Sequence, residues 1–261
     1  MILKNKNTII YGAGGAVGRT VALAFAREGA NVFLAGRTLE KVNDVAKEIA
    51  DLGGSAQAAE VDALDQASVE RHAADVVKKA GSLDVSFNLI SLGDDQGTLL
   101  VDMTLDEFLI APTIALRTQF LTMTAAARHM TAQKSGVILA LTANVARIPS
   151  SYSGGFGVAC ATIESMCRQV AVEVGQDGVR VICLRSAGSP DAPGVHEALS
   201  IHAKNAGMTF DEFHAYAARG SMLKRMPWMA EIANVATFMA SDGASAMTAS
   251  VANLTCGAIV D

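Results

Sequence analysis

This sequence predicts an α/β fold. We expect one domain, residues 1–261, built on a doubly wound parallel sheet of seven strands, with a helical lid insertion near the C-terminus. Three observations carry that prediction. Short β-rich runs alternate with longer runs of helical period from one end of the chain to the other, the order that βαβ units impose. The first β-rich run breaks into a glycine string and then a helix, as a phosphate-binding βαβ unit requires. No linker, repeat or low-complexity tract divides the 261 residues, a length that one α/β core can organise.

The elements follow in order. Thr-Ile-Ile-Tyr at 8–11 reads as a short buried strand, and helical spacing resumes at 17–28. Strands at 31–35 and 56–61 are then separated by a helix at 39–52, and a helix at 67–80 follows with Asp65 as its cap. The second half continues with strands at 85–89, 137–141, 179–184 and 251–254, and with helices at 114–130, 156–174 and 230–239. The long interval of roughly 187–229 also lacks a strand. It is rich in Pro, Gly, His, Met and aromatic residues, including Met208, Phe210, Phe213, Met226 and Trp228. Long insertions outside a strand pattern tend to be lids over binding sites, and Met-rich surfaces adapt to irregular apolar partners, so a small apolar substrate is expected beneath it.

Composition excludes several classes. A net charge of −5, from 21 basic and 26 acidic residues with no long block of either sign, argues against a nucleic-acid or membrane surface. Half of the residues are apolar, yet no run reaches the length of a membrane span. Residues 1–6 do not lead into a secretory apolar core, because the run at 8–11 ends at once in glycines; a soluble, cytoplasmic protein is expected. Cys160, Cys167, Cys183 and Cys256 form no Cys-x-x-Cys pair, which fits reduced thiols and no metal site.

The nucleotide end is read from Tyr-Gly-Ala-Gly-Gly-Ala-Val-Gly at 11–18. Gly12 permits a tight turn, and Gly14 and Gly15 let the backbone approach a pyrophosphate. Ala16 and Gly18 allow close helix packing, and the free N–H groups from Ala16 and Val17 onward hold the phosphates. At the end of the second strand, where an acidic residue would bond the ribose of NAD(H), stands Gly36 followed by Arg37. A guanidinium grips a 2′-phosphate that a carboxylate would repel, so NADP(H) is favoured over NAD(H).

Across nearly its whole length the chain resembles the short-chain dehydrogenase/reductase family, and the expected fold is accordingly of Rossmann type. The glycine string is similar to the family's Thr-Gly-x-x-x-Gly-x-Gly, with Tyr11 for Thr and Ala16 for the middle Gly. Leu-Asp-Val-Ser-Phe-Asn at 83–88 sits where Asp-x-x-x-Asn-Asn-Ala-Gly is expected and keeps Asp84 and Asn88. Gly-Val-Arg-Val at 178–181, Ile-Ala-Asn-Val-Ala at 232–236 and Asn-Leu-Thr-Cys-Gly at 253–257 resemble the family's later landmarks. The resemblance adds Asp62 and Ala63 as the adenine contact and Asn88 beside the nucleotide. It also implies a homodimer or homotetramer through the helices at 114–130 and 156–174.

The same register puts the family's catalytic Asn, Ser, Tyr and Lys at Ala115, Ala143, Phe156 and Cys160. A phenyl ring has no proton to give and a thiol carries no fixed positive charge, so ordinary ketone reduction should be impaired by the loss of general-acid help. Tyr152 does not restore the pair, since Phe156 stands four residues on; Thr142 is the one hydroxyl beside the lost serine. Where relatives carry Pro-Gly after the sixth strand, this chain has Ser186-Ala187. Three readings follow. The protein transfers hydride to an iminium or conjugated C=C. Alternatively it is a silent NADP(H) binder acting as regulator or hetero-oligomer partner of an active relative. The third reading is a non-redox reaction using Cys160 or a lid histidine, His196, His202 or His214.

Overall fold

The computed structural model describes residues 1–260. Its seven strands, β1 (Asn7–Tyr11), β2 (Asn31–Gly36), β3 (Ser55–Glu60), β4 (Val85–Asn88), β5 (Gly136–Ala143), β6 (Val179–Ser186) and β7 (Ser250–Leu254), form one parallel sheet in the order β3-β2-β1-β4-β5-β6-β7. Every residue of β1 and β4 is buried, which is why both read as uninterrupted short runs: a parallel sheet is covered on both faces.

Alternation along the strands sorts the core into two layers. Ile10, Val32, Leu34, Phe87 and Leu184 face α1 (Ala16–Arg27), α2 (Leu39–Asp51) and α8 (Met229–Ala240), meeting Phe25, Val45, Ile49 and Ile232. Ile9, Tyr11, Phe33, Ile138 and Cys183 face α3 (Gln66–Ala80), α4 (Leu105–Gln133) and α5 (Phe156–Val174), meeting Val76, Met123 and Ile163.

Two features depart from the expected boundaries. Helix α4 begins at Leu105 rather than 114, because Thr104 and Glu107 close a reciprocal capping box ahead of it: Thr104 N donates to Glu107 Oε2 at 2.7 Å and Glu107 N to Thr104 Oγ1 at 3.3 Å. Pro112, which looks like a breaker, lies inside the helix and deprives the Phe108 carbonyl of its donor. Strands β5 and β6 run to Ala143 and Ser186, beyond 141 and 184, because each supplies the other's ladder from Gly136↔Val179 to Ala143↔Ser186.

The interval 187–229 folds into α6 (Pro193–Asn205) and α7 (Phe210–Gly220). Helix α6 buries Ala203 alone and α7 buries no residue. The two are joined by ring stacking, His196 on Phe210 at 4.2 Å and His202 on Phe213 at 6.1 Å. Helix α6 is tied to the loop after β4 by His202 Nε2 and Gln96 Oε1, 2.7 Å apart, and by Asn205 Nδ2 donating to the Gly97 carbonyl at 3.1 Å.

Candidate cofactor and substrate site

At the carboxyl end of β1 the sheet order reverses, with β2 on one side and β4 on the other, and such a switch point is where an open α/β sheet leaves a crevice. Gly12 occupies it. Its φ of +75° belongs to glycine, its N–H donates to the Ala35 carbonyl at 2.9 Å, and a Cβ would lie 2.6 Å from the Leu89 carbonyl oxygen. Gly18 packs so closely that a Cβ would come within 2.3 Å of the Gly12 oxygen, which seats α1 directly over the turn. Gly14 is packed against Lys41, whereas Gly15 is exposed and has ordinary space around it. No side chain caps α1 at Gly15, so the first-turn N–H groups of Ala16, Val17 and Gly18 keep their donor capacity for a ligand. This cradle fits the pyrophosphate of a dinucleotide.

Arg37 is exposed just past β2, and among the described residues it has no hydrogen-bond or ion-pair partner. Beside it Thr38, the N-cap of α2, makes no capping bond and leaves its hydroxyl available, a polar neighbour that pattern reading passed over. Asp62 is exposed after β3 and accepts a hydrogen bond from Leu64 N at 3.0 Å, which fixes the turn; Ala63 is buried beneath it. Asp65 caps α3 through Ala67 N, as its spacing suggested. Asn88 is buried with both ends engaged: Nδ2 donates to Thr122 Oγ1 at 3.1 Å and Oδ1 accepts from Ile90 N at 3.0 Å. These bonds tie Asn88 to α4 and to the start of the loop after β4.

At the other end of the crevice the residues are apolar. Ala115 is fully buried on α4, and Phe156, the first residue of α5, is packed partly into the same layer. Cys160 lies one turn further along α5, 1% exposed and against the Ala143 backbone. Burial pushes its thiol up to about 12, which the Ala143 backbone only partly offsets, so the thiolate is scarce at neutral pH. Thr142 is turned to the opposite side of β5 from Ala143. Its hydroxyl donates to Glu164 Oε1 at 3.2 Å, inside a buried pair in which Arg185 Nε and Nη2 hold the Glu164 carboxylate. Strand alternation thus removes Thr142 from the position of the missing serine. A cleft of about 580 Å³ opens beside that pair, lined by Arg147, Arg168 and Val251, and it touches none of the cofactor positions.

The loops after β4 and β5 lock onto each other above this end: Gly97 N donates to the Tyr152 carbonyl at 2.8 Å, and Tyr152 takes a φ of +63° to present it. Asp94 lies in the first of these loops, half-buried, where no motif had pointed to it. The hydroxyl of Ser189, just past β6, is buried without a partner. The histidines of α6 and α7 are engaged in ring stacking, His214 lying 6.0 Å from Phe210.

Comparison with known proteins places this geometry. A family model described as enoyl-(acyl carrier protein) reductase matches residues 12–258. The chain is 28% identical to the 3-oxoacyl-(acyl-carrier-protein) reductase FabG of Chlamydia pneumoniae over 95% of its own length and 94% of that protein. It is 26% identical to the 7alpha-hydroxysteroid dehydrogenase of Escherichia coli, covering 98% of this chain and 95% of the other. Among solved structures, sorbitol-6-phosphate 2-dehydrogenase SrlD from Erwinia amylovora superposes with a TM-score of 0.91 at 24% identity, over 97% of this chain and all of that one. With the parallel seven-stranded sheet, the glycine cradle and a match that runs almost from end to end, the chain belongs to the short-chain dehydrogenase/reductase family of oxidoreductases, whose fold implies a nicotinamide cofactor, NAD(H) or NADP(H).

Proposed function

We propose that this protein is an NADP(H)-dependent oxidoreductase with a non-standard active site, reducing an iminium or conjugated C=C of an apolar substrate. What supports the reading is the apolar side chain at each of the four expected catalytic positions, Ala115, Ala143, Phe156 and Cys160, of which the one ionisable member is buried with its thiol pushed up to about 12. A carbonyl oxygen gaining charge beside such side chains would find no donor. An iminium loses charge as it is reduced, and an enone can take its proton from solvent. When bound, the nicotinamide supplies a hydride with its electron pair to the acceptor carbon, while the C=N π pair becomes the lone pair of the amine and the cofactor is left oxidised.

The chain's own residues supply the rest. First-turn amides of α1 hold the pyrophosphate, and Arg37 with Thr38 takes the 2′-phosphate. Helices α6 and α7, thinly packed on the body, act as the lid that excludes water. On the outer side, Leu109, Leu116 and Phe120 of α4 and Val158 of α5 are each between 39% and 56% exposed, an apolar stripe that suits pairing with a second copy.

The test combines calorimetry with NADPH and NADH and oxidation of NADPH against panels of ketones, enones and cyclic imines. Tight NADPH binding with turnover on imines or enones but not ketones is expected. Brisk ketone reduction, or no nucleotide binding, overturns the reading. A variant carrying Ala143→Ser, Phe156→Tyr and Cys160→Lys should gain ketone reduction; no gain would count against the residue register.

A further inference from the structure

The loop after β4 brings one carboxylate near the four apolar positions. Gly93 rests on α4, where a Cβ would stand 3.3 Å from Ile114 Cδ1. Two residues on, the Asp95 carbonyl oxygen abuts Gly154, which has room for it only as glycine, since a Cβ would lie 2.5 Å away. With Gly97 bonded to Tyr152, these contacts hold Asp94 between the helix that carries Ala115 and the segment that leads into Phe156. Its charge reaches the Cys160 thiol.

The side chain is also held. Gln96 Nε2 donates to Asp94 Oδ2, and the same amide's oxygen meets His202 Nε2 at 2.7 Å, so that the carboxylate, Gln96 and a residue of α6 form one chain. Among the described residues no cation pairs with Asp94. A half-buried carboxylate with one amide donor and no counter-charge is incompletely compensated, and a cationic ligand would complete it.

We infer that Asp94 is a specificity-determining residue that binds the positive charge of the substrate, which makes the substrate class an apolar organic cation: a protonated imine and its amine product. The inference deepens the oxidoreductase reading and rests on it for the reaction, though not for the binding. A carboxylate beside the imine nitrogen favours its protonated, electrophilic form. It also selects against neutral ketones, which would leave the carboxylate desolvated and unpaired. Gln96 acts as a positioning residue and couples this anchor to α6, so that occupancy is communicated to the lid.

Calorimetry on the NADP⁺-saturated protein tests this without turnover, with tetrahydroisoquinoline, protonated at neutral pH, set against its neutral carbocyclic analogue tetralin. The wild type should bind the amine roughly tenfold or more tightly than tetralin. Asp94→Asn should remove that preference while leaving tetralin and NADP⁺ affinity unchanged, the latter serving as the check on folding, and Asp94→Glu should retain it. Equal amine affinity in wild type and Asp94→Asn, or no preference for the amine in the wild type, overturns the inference. If amine binding follows Asp94 but no acceptor is reduced, the oxidoreductase reading falls and the cation site stands. If enones are reduced and Asp94→Asn binds the amine unchanged, the cation site falls alone.

Discussion

Glu164 on α5 grips Arg185 on β6 with two hydrogen bonds, Nε to Oε1 at 2.7 Å and Nη2 to Oε2 at 2.8 Å, and the two side chains are 4% and 2% exposed. Such a pair adds little net stability over an apolar pair, because its attraction mainly offsets lost hydration, yet removing one partner leaves a buried charge uncompensated. Arg185→Met, which strips Glu164 of its cation, should therefore lower the unfolding free energy by about 3–5 kcal/mol in urea titrations. Adding Glu164→Leu to that variant should restore most of the loss. A double variant less stable than the single one would show that the pair is not the energetic unit.

Much of the sheet was legible because strands covered on both faces leave short β-rich runs between turn signals: residues 8–11 and 85–88 are buried at every position, with only Thr8, Ser86 and Asn88 polar among them. The ends of β5 and β6 were not legible, since Ala143 and Ser186 are small or polar and are strand only because they pair with each other. The glycine cradle could be read locally, as its geometry is set within a few residues of Gly12. Asp94 could not, because its place depends on the loop after β4 closing on residues 152–154, nearly sixty positions away. The early start of α4 was hidden by Pro112, whose tolerance depends on what faces the Phe108 carbonyl, a tertiary matter.

What faces it is Gly155. A Cβ there would lie 2.1 Å from the Phe108 oxygen and 2.8 Å from Pro112 Cδ, both parts of a rigid helix that cannot give way cheaply. Gly155→Ala should cost about 3 kcal/mol, at the upper end for overpacking. Gly175 is the control: its φ is −61° and nothing lies within 4 Å of a Cβ, so Gly175→Ala should stabilise by about 0.4–1 kcal/mol. Thermal melts of the two variants against the wild type decide the matter, and equal effects would refute the close approach.

His72 gives the fold a pH dependence of known sign. Its ring meets Tyr11 edge-on at 6.2 Å, its Nε2 is buried without a partner, and burial lowers its pKa to about 4 from 6.5, against a weaker opposing pull from Asp75. The unfolded chain takes up this proton near pH 6.5 while the folded chain refuses it until about pH 4. The contribution is thus fully present above 6.5 and is lost as pH falls toward 4, by roughly 3 kcal/mol at most. His72→Phe should flatten that part of the profile in urea midpoints taken at neutral pH and near pH 4.5. An unchanged difference between the two pH values would mean that the ring is solvated or paired.

The proposed preference for NADP(H) rests on Arg37. That arginine is exposed beyond β2, next to the uncapped Thr38 and directly after Gly36, where a ribose-binding carboxylate would stand for NAD(H). A charge-assisted contact to the 2′-phosphate is worth about 1.5–3 kcal/mol, so Arg37→Ala should weaken NADPH binding by roughly 10- to 100-fold and leave NADH almost unaffected. Arg37→Asp should go further and reverse the preference, because its carboxylate repels the phosphate and offers the ribose hydroxyls an acceptor. The NADPH affinity of the wild type should also fall with added salt more steeply than that of Arg37→Ala, since the lost contact is ionic and solvent-exposed. Calorimetric titrations of both nucleotides at two salt concentrations measure all of this. Equal NADPH affinity in wild type and Arg37→Ala would remove the argument for NADP(H).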